Sequence, residues 1–173
     1  MTKATRTKAT RKAAALLEPT AWDREHPSAP YLALSGTFTG ALTVFLIAGR
    51  ARLPERIAPA DLVLLSLATH KLSRTLARDR VTRPLRAPFT EVEGASPPVE
   101  LNEKPRGGPL RHAIGELISC PYCLDQWVAG ASVAGLVLLP RQTRAIAAMF
   151  AVAAGSDFLQ YLLRWVRAQD AAS

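Results

Sequence analysis

Cys120 and Cys123 are the two cysteines of the chain, and they stand as Cys-Pro-Tyr-Cys at the head of an apolar run that ends at Leu139. At a helix start this spacing puts both sulfurs within one turn, close enough for a disulfide or for two ligands of one metal. The same four letters form the active-site string of glutaredoxins, but no strand candidates flank them here, as the βαβ frame of a thioredoxin-type fold would require. Three readings stay open. The cysteines can be small reduced residues at a kink made by Pro121. They can bind zinc with His112 and a fourth group, or across a dimer. Or they can be redox-active, with the helix N-terminus and a nearby Arg or His lowering a thiol pKa.

The elements that must position this pair follow from where the apolar residues lie. Hydrophobic residues make up 49% of the 173, and Tyr31 to Gly49, Trp127 to Leu139 and Ala145 to Leu163 hold a single charged residue between them, Asp157. The first and last of these are each long enough for a membrane span of about 17 to 25 residues. The third reaches that length only with its cysteine end. A further segment opens DLVLLSLATHKLSRTLARDR at Asp61, and two descriptions suit it: a span whose basic end snorkels to the interface, or an amphipathic helix lying in the interface plane. The expectation is an all-α integral membrane protein of about four transmembrane helices, near 31–49, 60–77, 117–139 and 145–163, within one domain over 30–167. A disordered basic tail is expected over 1–29, where a Thr-Lys-Ala-Thr theme repeats, and a short tail over 168–173. In composition the N-terminal tail also resembles a transit peptide. A cleaved secretory signal is not expected, because the first long apolar run starts only at Tyr31.

Net charge is +8 and the isoelectric point about 10.2, yet no nucleic-acid reader motif accompanies the basic residues. Orientation accounts for them. With four spans, only Arg50, Arg52, Arg56, Arg141 and Arg144 of the 22 lysines and arginines fall on one side of the membrane. The rest fall on the side that holds both termini, which the positive-inside rule makes cytoplasmic. Tyr31, Tyr122, Trp127, Tyr161 and Trp165 then cluster near that interface.

Comparing depths at about 1.5 Å of rise per residue brings His70, Lys71, Arg74, Cys120, Cys123, Asp125 and Asp157 into the same half of the bilayer. Asp157 is expected to pair with Lys71 or Arg74, since neither charge can stand alone in lipid. Val81 to Leu110, rich in proline and arginine, is expected to be an irregular cytoplasmic loop between the second and third helices. Within and before it, Arg78, Arg80, Arg83 and Arg86, with Val81, Leu85 and Phe89 interleaved, suit acidic lipid head groups; a plain solvated loop is the alternative. Gly36 and Gly40, and Ala147, Ala151 and Gly155, form small-residue ridges suited to internal packing or to a homo-oligomer seam.

Four motifs in one order, THKLSR at Thr69, ARDRVTRPLRAPF at Ala77, GELISCPYCLDQW at Gly115 and GSDFLQ at Gly155, resemble the bacterial membrane family known as domain of unknown function thirteen-sixty. Some of its members are labelled sporulation proteins. The likeness covers roughly residues 60 to 163 and carries His70, Lys71, Arg74, Asp79, Arg80, Arg83, Arg86, Glu116, Cys120, Pro121, Cys123, Trp127 and Asp157. It implies a helical membrane protein and no particular reaction. Nucleotide, glycan and Ser/His/Asp nucleophile signatures are absent. The expected function is therefore a non-enzymatic module of the bacterial cytoplasmic membrane that binds acidic lipid or a partner protein through its basic, cysteine-bearing face. The alternative is a thiol-redox or zinc-dependent membrane protein that uses Cys120 and Cys123.

Overall fold

The computed structural model describes residues 27–96 and 100–170. Helices α1 (Ser28–Ala48) and α2 (Pro59–Arg78) come first, then a 3-10 turn (Arg80–Thr82), a single-turn helix α3 (Arg83–Arg86) and strands β1 (Thr90–Ser96) and β2 (Glu100–Pro105). Helices α4 (Pro109–Ser119), α5 (Pro121–Leu138) and α6 (Pro140–Asp170) complete the order. Nearly all of the expected basic tail over 1–29, and the last residues of the 168–173 tail, lie outside the described residues.

Proline sets most of the helix starts. It opens α2, α4, α5 and α6, where its missing N–H costs nothing and its fixed φ suits the first turn. Pro121 also divides what hydropathy reads as one span over 117–139. Cys120, the residue before it, is extended (φ −102°, ψ 109°), because the proline ring clashes with a helical predecessor. Cys120 is thus the C-cap of one helix and the N-cap of the next.

Helices α2, α5 and α6 form the bundle. Leu65 and Ala68 of α2, Leu136 of α5 and Ala147 of α6 make its buried centre, with Leu64, Val133 and Phe150 against them. Two ion pairs run from α2 to α6, Asp61 to Arg144 and Lys71 to Asp157, so these helices are parallel, with α5 returning between them. Gly135 lets α5 approach the start of α6: a Cβ there would meet Thr143 Oγ1 at 2.7 Å. Helix α1 buries no residue. It touches the rest through Tyr31, whose hydroxyl donates to Glu116, and through Phe38, edge-on to Trp127 at 5.2 Å.

Among the described residues, α1 and α6 are long and apolar enough to cross a membrane, and most of their large apolar side chains lie on the outside, as with Val44 (65% exposed) and Val152 (74%). Among the described residues nothing lies within 4 Å of a Cβ placed at Gly36 or Gly40, so the expected internal packing of this pair is not met by any described helix.

The all-α expectation is corrected by a hairpin. Strands β1 and β2 pair antiparallel from Thr90 opposite Pro105 to Ser96 opposite Glu100, with a bulge between Val92 and Gly94. An isolated bridge from Asp79 to Glu100 ties the hairpin to the end of α2. Gly107, at φ +92°, makes the turn from β2 into α4, and Gly115 allows α4 to press on the hairpin, where a Cβ would meet Phe89 O at 2.6 Å. The stretch expected to be irregular is a folded cap on one end of the bundle.

Candidate functional site

The cap is built around Arg86. Its residue exposure is 1%, and its guanidinium donates to Glu103 Oε2 (2.7 Å), the Leu76 carbonyl (2.6 Å), Thr82 Oγ1 (2.6 Å) and the Asp79 carbonyl (3.0 Å). The Thr82 hydroxyl in turn donates to the Thr75 carbonyl at 2.6 Å. One side chain thus serves the last carbonyls of α2, which have no helical partner, and locks α3 and β2 to them. Arg86 was grouped by sequence with the lipid-facing arginines. Its burial removes it from that surface.

Pinning Arg86 inward turns its neighbours outward. Arg80 and Arg83 are exposed, and so are Val81 (79%) and Leu85 (68%). The 3-10 turn and α3 therefore form a rigid elbow that shows two cations and two apolar side chains to its surroundings. Arg78 points elsewhere, donating to Asn102 Oδ1 at 3.3 Å.

Between cap and bundle lies a cleft of about 660 Å³. Arg74 and Arg78 of α2 line one wall, and Glu100, Asn102, Glu103 and Pro105 of β2 another. The end of α4 and Cys120 to Cys123 close it. Both cysteines are free thiols with sulfurs 2.9 Å apart. Cys120 Sγ accepts the Cys123 backbone N–H at 3.4 Å, so the sulfur acts as the helix N-cap.

The other expected site residues separate into three groups. Lys71 meets Asp157 at 2.6 Å, the pairing the helix rise points to, whereas Arg74 turns to Glu100 at 2.7 Å. His70 is exposed on α2, and Asp125 Oδ1 is buried without a hydrogen-bond partner. His112 faces Glu116 at 3.6 Å, and among the described residues no three His, Cys, Asp or Glu side chains converge as a metal site. Sequence reasoning missed Glu103, Glu100 and the Asp61–Arg144 pair, in which Arg144 Nε and Nη2 each donate at 2.8 Å. An acid in the first turn of one helix and an arginine in the first turn of another were its visible signals.

Together these features define a helical protein with two helices fit to cross a membrane and a polar cap folded on one end. The family described as "Protein of unknown function (DUF1360)" matches residues 64–163, from the middle of α2 through the cap and cleft to Leu163 of α6, and the chain belongs to it. A curated relative, the sporulation protein YjcA of Bacillus subtilis (strain 168), is 31% identical over 110 residues, covering 61% of this chain and 93% of that protein. No solved structure matches. All of α1 lies outside the family match.

Proposed function

We propose that the protein is a module of the bacterial cytoplasmic membrane, with α1, α2, α5 and α6 as its spans and the cap on the cytoplasmic side, resting on acidic lipid head groups. The observation that carries this is the elbow. Exposed Val81 and Leu85 alternate along the chain with exposed Arg80 and Arg83, on a backbone that the buried Arg86 holds in place. In water two such apolar tips gain nothing. At a bilayer surface they enter the boundary of head groups and acyl chains, while each arginine near an anionic leaflet adds about 1 kcal/mol.

Two further points support the reading. Arg50, Arg52, Arg56, Arg141 and Arg144 lie at the other end of the bundle, so the positive-inside rule puts the cap in the cytoplasm. Along α2, Lys71 stands about 15 Å from Asp61, well inside a hydrocarbon layer of about 30 Å, where Asp157 supplies the countercharge such a lysine needs. The name of the Bacillus relative ties that protein to sporulation, and a membrane module in a process of that kind is the frame this reading adopts.

The test is lipid retention. Full-length protein purified in detergent is mixed with equal phosphatidylglycerol and phosphatidylcholine, and the bound lipid is quantified at low and high salt. Enrichment of phosphatidylglycerol that salt reverses, and that Arg80→Gln with Arg83→Gln abolishes, is the expected result; equal retention of the two lipids refutes the elbow's role.

A further inference from the structure

We infer that Cys120 and Cys123 form a dithiol–disulfide exchange site for a small disulfide that carries a carboxylate, with Arg78 reading that carboxylate. This goes beyond the lipid-facing elbow, which lies on other residues and is tested separately.

Three observations converge on it. Both sulfurs line one cleft, and its volume of about 660 Å³ is that of a small-molecule site. Of the charged groups in its lining, Glu103 is buried against Arg86 and Arg83 and Arg74 is engaged by Glu100, but Arg78 holds the neutral amide of Asn102, which leaves guanidinium N–H groups for a carboxylate. Cystine is a small disulfide that carries one. Zinc fits this cleft less well, since His112 is turned to Glu116 and no third ligand joins the sulfurs among the described residues.

The two sulfurs have different parts to play. Cys120 Sγ caps α5 and receives both the backbone N–H and the thiol of Cys123, which marks it as the attacking sulfur. As thiolate it attacks one sulfur of the disulfide R–S–S–R; the S–S bond breaks, R–S⁻ leaves, and a mixed disulfide Cys120–S–S–R forms. Cys123 gives its proton to the departing thiolate and attacks Cys120 Sγ, expelling the second R–S⁻, which takes a proton from solvent. Two protein thiols are oxidised to one disulfide, and the substrate disulfide is reduced to two thiols.

The experiment uses full-length reduced protein in detergent, with cystine as the zwitterionic probe and 2-hydroxyethyl disulfide as the uncharged one, read by intact mass. The wild type is expected to lose two hydrogens and release two cysteines per chain. Cys123→Ser should accumulate one cysteinyl adduct on Cys120, and Cys120→Ser none over the same time. Arg78→Gln should slow the cystine reaction by about tenfold or more, the worth of one charge-assisted hydrogen bond, and leave the 2-hydroxyethyl disulfide rate unchanged. An adduct on Cys123 in Cys120→Ser at the wild-type rate overturns the assignment of the nucleophile. Equal rates for Arg78→Gln and wild type with cystine, or equal slowing with both probes, overturn the recognition. Phosphatidylglycerol retention by the same variants, expected to be unchanged, separates a failure here from a failure of the elbow.

Discussion

The cap and the bundle are built on opposite principles. In the bundle, the buried centre is small, and large apolar side chains such as Val152 and Phe158 lie outside. In the cap, the largest fully buried side chain is a guanidinium, that of Arg86, and the buried Thr90 hydroxyl donates to the Arg86 carbonyl and to Glu103. A bundle of this kind depends on its solvent, because lipid relieves it of burying its apolar surface and leaves close contact and ion pairs to hold the helices together. A cap of this kind depends on complete hydrogen bonding, since one missing partner strands a buried charge.

The sharpest way to break the comparison is Arg86→Ala. It leaves the Glu103 carboxylate and the last carbonyls of α2 without their donor, and should destabilise the cap by about 3 to 5 kcal/mol. Hydrogen exchange should rise across β1, β2 and the elbow while α5 and α6 keep their protection; uniform loosening of the whole chain would mean that cap and bundle are one cooperative unit.

The junction is tested by Lys71→Ala, which isolates Asp157 at the depth where α2 and α6 run side by side. A loss of about 1 to 3 kcal/mol in detergent or bilayer is expected, recovered in part by adding Asp157→Asn. A double variant no better than the single one would deny that the two charges are coupled.

The smallest effect should come from Gly36→Ala with Gly40→Ala. Nothing lies within 4 Å of either position, so stability should stay within about 0.5 kcal/mol and the oligomeric state should not change. A shift to a smaller species on size exclusion would instead make this ridge a seam between copies.

How much could be read without coordinates differs between the two regions for the same reason. Helix rise is regular, so depth along α2 and α6 can be counted, and Lys71 and Asp157 do meet. Hydropathy marks α1 and α6 as candidate spans, although it misses the stop at Cys120 that Pro121 imposes. The hairpin was not legible: Thr90 to Pro105 is interrupted by glycine and proline and lacks an alternating apolar face, so no local signal marks it as strand. Nor could Arg86 be distinguished from Arg80 and Arg83, spaced like it along one run of sequence.

The amino-acid sequence alone determined the apolar helices, the asymmetry of charge between their ends and the closeness of two sulfurs on one turn, because hydropathy, helix rise and i, i+3 spacing are local properties. The tertiary structure decided which arginine is buried, where the hairpin lies and what faces the cysteines. Those depend on acceptors from Leu76, Asp79, Thr82 and Glu103 converging on Arg86, and on β2 standing across the cleft from Cys120. Such contacts are fixed only when separate segments pack together.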